Sequence, residues 1–194
     1  MGPRYREPWR IRMAKKQRQA SLETEAQSLL DELDMNTLPI SVDKIAKSLG
    51  AQLRYSPLDS ELSGMIYIKD GVPIIGVNAL HHPNRQRFTI AHEIAHLCLH
   101  RDHITNAVHV DKGFAVPVLK RDAASATGTE RLEIEANQFA AALLIPRRML
   151  DQLLAEARID IESEGALEQF AKKFKVSKAM LEFRIRNLSS ESLN

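Results

Sequence analysis

The spacing of hydrophobic residues predicts a mostly helical chain with one small sheet. Leucine and alanine recur at helical spacing over residues 21–33, and a shorter helical stretch follows at 41–49. Two apolar runs flank Asp70-Gly71, a dipeptide typical of tight hairpins, and predict two antiparallel strands. Together with a short strand at 51–55, they indicate an α+β fold that contains a small three-stranded antiparallel sheet.

The segment 88–100 carries the first candidate chemistry. It contains no Pro or Gly and is apolar around most of its circumference, which is typical of a buried helix. His92 and His96 lie one turn apart, so both imidazoles can reach one metal ion, and Glu93 can take a proton from a water there. His100 lies two turns from His92, about 12 Å along the axis. That is too far to share the metal, and we interpret His100 as a supporting or structural residue.

A second helix is predicted over residues 130–146, after a long connection at 111–129 that shows no periodicity. A count of 100° per residue places Glu133 within the apolar face, Asn137 beside it and Glu135 on the polar side. Because a buried carboxylate is costly unless it is paired or metal-bound, we expect Glu133 to be the third metal ligand. Two histidines and one glutamate are a suitable ligand set for zinc and leave an open position for water. The same ligands can also bind Mn²⁺ or Fe²⁺.

Composition limits the number of domains and the cellular compartment that we expect for this protein. The 194 residues suit one domain with extensions, and a hydrophobic content of 44% is sufficient for a core. The single cysteine excludes an internal disulfide framework and fits a reducing compartment. No run approaches the ~18 apolar residues of a membrane span. We therefore expect a cytoplasmic protein without a membrane partner.

Charge is distributed unevenly along the chain. The net charge is +2, yet residues 1–20 carry seven basic residues and one acidic residue. We expect a basic N-terminal arm at 1–20, a main domain at 21–150 and a helical C-terminal segment at 151–194. Within that segment, apolar spacing and six basic residues over 165–188 are typical of a helix-turn-helix. Two helices that pack on the main domain explain the same pattern, and we favour that interpretation over direct DNA binding. A surface that binds a repressor is a third interpretation.

The two candidate metal-site segments together resemble a known family. RQRFTIAHEIAHLCLH followed by ExxANxFAAxLLxP is similar to the ImmA/IrrE metallopeptidases, which are gluzincin-like, and the resemblance extends over roughly residues 22–150 and the C-terminal helices. The resemblance implies a zincin-like peptidase core in which His92, His96 and Glu133 hold zinc. It also implies Glu93 as the general base and Asn137 as a hydrogen-bonding support for His92.

The resemblance further implies a role in transcriptional control. Similar proteins are anti-repressors that cleave or displace helix-turn-helix repressors in stress responses, mobile elements and toxin–antitoxin-like pairs. We therefore expect a zinc-dependent endopeptidase whose protein substrate is a helix-turn-helix repressor. The alternative is a non-enzymatic metal-binding regulator that binds a repressor or DNA through its basic ends. A peptidase also needs a donor for the oxyanion, and the candidates are His100, His103, His109 and Tyr67.

Overall fold

The fold is described by a computed structural model that covers residues 8–104, 109–111, 128–157 and 164–192. Most of the predicted connection at 111–129 lies outside the described residues. In chain order the elements are α1 (Pro8–Glu32), α2 (Val42–Ser48), β1 (Gln52–Ser56), β2 (Gly64–Lys69), β3 (Val72–Asn78), α3 (Pro83–Leu99), α4 (Arg101–Ile104), β4 (His109–Asp111), α5 (Gly128–Leu144), α6 (Arg147–Ala157), α7 (Glu164–Phe174) and α8 (Lys178–Ser192).

The predicted α+β class is confirmed, and so is the hairpin. β2 and β3 pair in antiparallel fashion, with Lys69 opposite Val72. Between them, Asp70 and Gly71 have φ angles of 51° and 78°. Two successive positive φ angles are those of a type I′ turn, whose twist matches that of the flanking strands. Gly71 adopts this conformation without steric cost, which is why the dipeptide is a strong hairpin signal.

The sheet is larger than predicted, and it is mixed. Within the described residues its order is β1-β3-β2-β4, with β1 parallel to β3, and β2 antiparallel to both of its neighbours. The prediction of three antiparallel strands was therefore wrong. It assumed that strands adjacent in sequence pair with one another, whereas β1 bypasses β2 and pairs with β3. The three residues of β4 are too few to show an alternating pattern in the sequence.

The N-terminal helix is longer than predicted. α1 begins at Pro8 rather than near Ser21, so it runs across the predicted boundary between the basic arm and the main domain. Proline is well tolerated in a first helical turn, where its missing N–H has no helical partner to lose. The apolar stripe of α1 enters the core through Leu22, Ala26 and Leu30, and the helix packs against α5. The division of the chain into three regions stays a prediction.

The hydrophobic core is built around α3. This helix packs against α5 on one side and against β2 and β3 on the other. Every residue from Phe88 to Leu97 is buried, as expected for a helix that is apolar around most of its circumference. The candidate metal-binding histidines therefore lie inside the protein. Among the described residues, no helix combines the length and the apolar character needed to cross a membrane.

The C-terminal helices α7 and α8 are joined by a short turn, and α8 is attached to the main domain. Ser177 Oγ accepts a hydrogen bond from the Met180 N–H at the start of α8. Farther along, buried Arg184 donates to the carbonyl oxygen of Ile145 at 3.1 Å and forms an ion pair with Glu23 of α1. One face of this helix pair is thus used for packing on the domain. Direct DNA binding by the pair stays a prediction.

Candidate metal centre

α3 and α5 bring three metal-ligating side chains together. His92 and His96 of α3 and Glu133 of α5 each offer a ligand atom, and these atoms all lie within 4.8 Å of one another. His92 Nε2 is 3.0 Å from His96 Nε2 and 3.2 Å from Glu133 Oε2. His96 Nε2 is 3.4 Å from Glu133 Oε1. Residues that the sequence predicted as one site are therefore adjacent in space.

The separations within this triangle fit a tetrahedral metal ion. Zinc binds imidazole nitrogen and carboxylate oxygen at roughly 2.0–2.2 Å, so two ligands of a tetrahedral site lie about 3.3 Å apart. The two imidazole nitrogens are 3.0 Å apart, and each faces a different oxygen of the Glu133 carboxylate, His92 Nε2 at 3.2 Å and His96 Nε2 at 3.4 Å. Two imidazoles and one carboxylate also leave a fourth position, as in catalytic zinc sites. The residues present therefore suit the metal that the sequence motifs imply.

Asn137 orients the ring of the first histidine. Its Oδ1 lies 2.9 Å from His92 Nδ1. Because an amide oxygen can only accept, Nδ1 of His92 carries the proton, and Nε2 keeps its lone pair on the side of the other ligands. Metal-bound histidines commonly hold their second nitrogen in this way. Asn137 lies one turn beyond Glu133 on α5, so a single helix supplies both a ligand and the support for another ligand.

His100 lies behind the second histidine. Its Nδ1 is 3.2 Å from Nδ1 of His96, whereas Nε2 of His96 faces Glu133. Burial lowers the pKa of His100 even though the neighbouring Glu135 carboxylate acts in the opposite direction. His100 is therefore a neutral imidazole in a supporting position. Because the ring of His96 stands between it and the ligand triangle, His100 is badly placed to donate to an oxyanion.

Glu93 is buried next to the sheet. It is 0% exposed, and a Cβ added to Gly64 of β2 would lie only 3.6 Å from its Oε1. Glu93 follows His92 directly in α3 but is not one of the three grouped ligands. Glu93 thus lies beside the ligand group without belonging to it, and its role as general base stays a prediction. Sequence reasoning missed the contribution of Gly64, because no local pattern shows which strand residue will face the helix.

The burial of the two central glutamates of α5 is the reverse of the prediction, which placed Glu133 on the buried face and Glu135 on the polar face. The side chain of Glu133 is 31% exposed, whereas that of Glu135 is 9% exposed. The angular count assumed a single buried face, but α5 packs against both α3 and α1. Glu135 faces α1, where Arg18 Nη2 lies 2.8 Å away, and Arg131 Nε lies 3.0 Å away on the same helix. Burial alone would raise the pKa of Glu135, but hydrogen bonds from the two arginines outweigh it and hold the pKa below its ordinary value.

Among the described residues, His103 is not one of the grouped ligands. His103 is exposed in α4, and Tyr67 is half-buried in β2. The side chain of His109 lies outside the described part of the chain. Sequence reasoning also missed Arg18, which is 117 residues away from its partner Glu135 and carries no motif of its own.

Comparison with known families identifies the domain. The family model described as IrrE N-terminal-like domain, Peptidase_M78, matches residues 46–186. The chain belongs to this family. The resemblance inferred from the two sequence motifs is therefore confirmed. At the level of the family, this IrrE N-terminal-like domain is a metallopeptidase domain, and its grouped His92, His96 and Glu133 are compatible with zinc.

The fold of this IrrE N-terminal-like domain is similar to that of a solved Mycobacterium tuberculosis transcriptional regulator. The TM-score is 0.54 at 19% sequence identity, and the similarity covers 84% of this chain and 45% of that chain. At this identity the likeness concerns the fold alone. The chain thus spans less than half the length of that protein. No curated protein matches the sequence.

Proposed function

We propose that this IrrE N-terminal-like domain is a zinc-dependent endopeptidase. The observation that carries the proposal is the grouping of His92, His96 and Glu133, in which the imidazole nitrogens lie 3.0 Å apart and each lies 3.2–3.4 Å from an oxygen of the carboxylate. The buried carboxylate of Glu93, directly next to a ligand in sequence, adds a candidate general base. The family assignment supports the same class of activity. Mn²⁺ or Fe²⁺ would suit the same ligands as zinc.

In the proposed mechanism, the side chains of this domain position the metal and move the proton. When bound, the zinc ion supplies Lewis acidity that polarises the scissile carbonyl and acidifies water. Glu93 accepts a proton from the attacking water and passes it to the leaving amine. Asn137 keeps Nε2 of His92 directed at the metal position.

We further propose that the substrate is a helix-turn-helix transcriptional repressor in the cytoplasm. The sequence resemblance supports this substrate class, and the fold likeness to a protein named as a transcriptional regulator is in keeping with it. The alternative is a metal-binding regulator that binds a repressor or DNA without cleavage. The two proposals differ in one residue, because only hydrolysis needs the Glu93 carboxylate.

The first experiment measures metal. Elemental analysis of protein purified without added metal should find about one transition-metal ion per chain. Glu133→Gln should lose most of it, while Asp151→Asn, which changes an exposed carboxylate of α6, should keep it. No metal in the wild-type protein, even after dialysis against zinc, would overturn the proposed site.

The second experiment tests hydrolysis. Glu93→Gln is nearly isosteric and should retain metal and fold, but it should no longer cleave a helix-turn-helix repressor that the wild-type protein cleaves, and repressors encoded near the gene for this protein are the first substrates to screen. Cleavage is read on a denaturing gel and repression with a reporter. Equal cleavage by Glu93→Gln would contradict the peptidase mechanism. Relief of repression by Glu93→Gln without cleavage would favour the non-enzymatic regulator.

A further inference from the structure

We propose that Arg18, Glu135 and His100 form a network that sets the metal affinity of the site by orienting His96. The inference rests on the proposed metal site and extends it to three residues that bind no metal. Arg18 belongs to α1 and lies outside the residues 46–186 that the family model matches. The proposal therefore gives the N-terminal helix a part in the function of the site.

The network is continuous in space from α1 to the ligand triangle. Arg18 donates to Glu135 Oε2 from Nη2 at 2.8 Å and from Nε at 3.1 Å. The same Oε2 lies 3.6 Å from Nε2 of His100. Nδ1 of His100 is 3.2 Å from Nδ1 of His96, the opposite edge of whose ring carries the ligand nitrogen. His96, His100 and Glu135 are all buried, so solvent screens their interactions little.

The hydrogen bond between Nδ1 of His96 and Nδ1 of His100 can form in two ways, because either nitrogen can be the donor. If His96 donates its Nδ1 proton, its Nε2 keeps the lone pair that a metal needs. If His100 donates instead, neutral His96 carries its proton on Nε2 and cannot bind metal there. The arrangement of one shared proton thus decides whether His96 is a ligand.

The carboxylate of Glu135 favours the productive arrangement. With Nδ1 of His100 accepting from His96, Nε2 of His100 carries the proton and presents a positive N–H to Glu135. In the other arrangement, Nε2 presents a lone pair to the carboxylate and is repelled. The separation of 3.6 Å between these atoms exceeds that of a hydrogen bond, so the preference is electrostatic.

Glu135 exerts this effect only if its carboxylate is held in place. Arg131 contacts Oε1 at 3.0 Å, but its side chain is 72% exposed, and an exposed pair of this kind contributes little rigidity. Arg18 approaches with two donors on Oε2 and is itself fixed through Nη1 by Glu25 at 3.0 Å. Arg18 is therefore the residue that mainly holds the Glu135 carboxylate in position.

The experiment compares zinc affinity among variants, measured on folded protein by competition with a chromophoric chelator. Glu135→Gln should weaken zinc binding up to about 10-fold, the lower end of the cost of losing a partner of a ligating histidine, because Glu135 acts on His96 only through His100. Arg18→Met should weaken it in the same direction by a smaller factor. Asp151→Asn is the matched control for the loss of one helical carboxylate and should bind like the wild type. The visible spectrum of the cobalt-substituted proteins provides a second readout and should change for Glu135→Gln, less for Arg18→Met and not for Asp151→Asn.

Two substitutions at His100 test whether the effect passes through that ring. His100→Asn keeps an acceptor near the position of Nδ1 and has no tautomer to select, so its zinc affinity should stay close to that of the wild type. His100→Leu removes the acceptor and should weaken binding as strongly as Glu135→Gln. In the His100→Asn background, Glu135→Gln should have no further effect on affinity.

Three outcomes would overturn the proposal. A folded Glu135→Gln variant with lowered thermal stability but wild-type zinc affinity would show that the ion pair only joins α1 to α5. Equal weakening by Glu135→Gln in the wild-type and His100→Asn backgrounds would show that the effect bypasses His100. A wild-type protein that binds no zinc would overturn the proposed function as well, which distinguishes that failure from the first two.

Discussion

Gly64 of β2 and Thr89 of α3 lie so close together that no side chain fits between strand and helix. A Cβ on Gly64 would overlap Cγ2 of Thr89 and would lie 2.8 Å from the backbone oxygen of Gly76. The same Cβ would be 3.6 Å from Oε1 of Glu93. The missing side chain thus lets the helix that carries the candidate ligands and general base pack directly on the strand.

Gly64→Ala should destabilise the fold by about 1–3 kcal/mol, the usual cost of overpacking a core. The effect is measured as a lowered midpoint of urea unfolding of the metal-free protein. Gly165→Ala in α7 is the control, since a Cβ there meets nothing within 4 Å. In a helix that substitution should be neutral or stabilise by up to ~1 kcal/mol. Equal stability of Gly64→Ala and the wild type would contradict the close packing of β2 on α3.

Asn137→Ala should weaken zinc binding about 10- to 100-fold, because His92 loses the acceptor that orients its ring. Asn137→Asp keeps an acceptor at the same place and should recover most of the affinity. Both are measured by competition with a chelator. Wild-type affinity of Asn137→Ala would mean that packing alone holds His92.

Arg184→Met should lower the free energy of unfolding by about 3 kcal/mol, because it removes the partner of Glu23 and of the Ile145 carbonyl in a largely buried setting. Limited proteolysis should then cut within α8 sooner than in the wild type. Arg186→Met, an exposed change on the same helix, is the control and should stay within ~0.5 kcal/mol of the wild type. Similar losses for both variants would contradict a specific anchoring role of Arg184.

Sequence-specific DNA binding by α7 and α8 is not expected. Of the basic residues over 165–188, Arg184 is buried against α1, and Lys178 lies 3.9 Å from Glu182 on the same helix. The remaining exposed residues, three lysines and Arg186, should give only weak binding that fades steeply as salt rises. Electrophoretic shifts with promoter and unrelated DNA at increasing salt measure this. A salt-resistant shift with the promoter alone would contradict the expectation.

Tyr55 should confer a dependence of stability on alkaline pH. Tyr55 is 48% exposed, yet partial burial of its phenol group, together with the hydrogen bond to Asp43, raises its pKa to about 12. The folded protein therefore holds this proton more tightly than the unfolded chain, in which tyrosine titrates near pH ~10. The contribution to folding is present below that value and is lost as pH rises toward the pKa of the folded state. In Tyr55→Phe, the free energy of unfolding should no longer show this decrease at alkaline pH. If the free energy of unfolding falls with pH in the same way in both proteins, the raised pKa of Tyr55 is contradicted.

Features that depend on neighbours in the chain were predictable from the sequence. The hairpin follows from the backbone preferences of Asp70-Gly71, and the facing of His92 and His96 follows from the helical period of 3.6 residues. The same period places Asn137 one turn from Glu133. In each case the relevant residues lie within a few positions of one another, so local geometry is sufficient to relate them.

Features that depend on which faces pack together were decided only by the tertiary structure. β1 pairs with β3 rather than with β2, and Glu135 is buried because α1 covers the side of α5 that looked polar in isolation. Its partner Arg18 is 117 residues away. By itself the sequence determined the helices, the hairpin and the candidate ligands. The tertiary structure determined which of these elements and side chains contact one another. Burial and long-range pairing arise from the packing of the whole chain and leave no local pattern in the sequence.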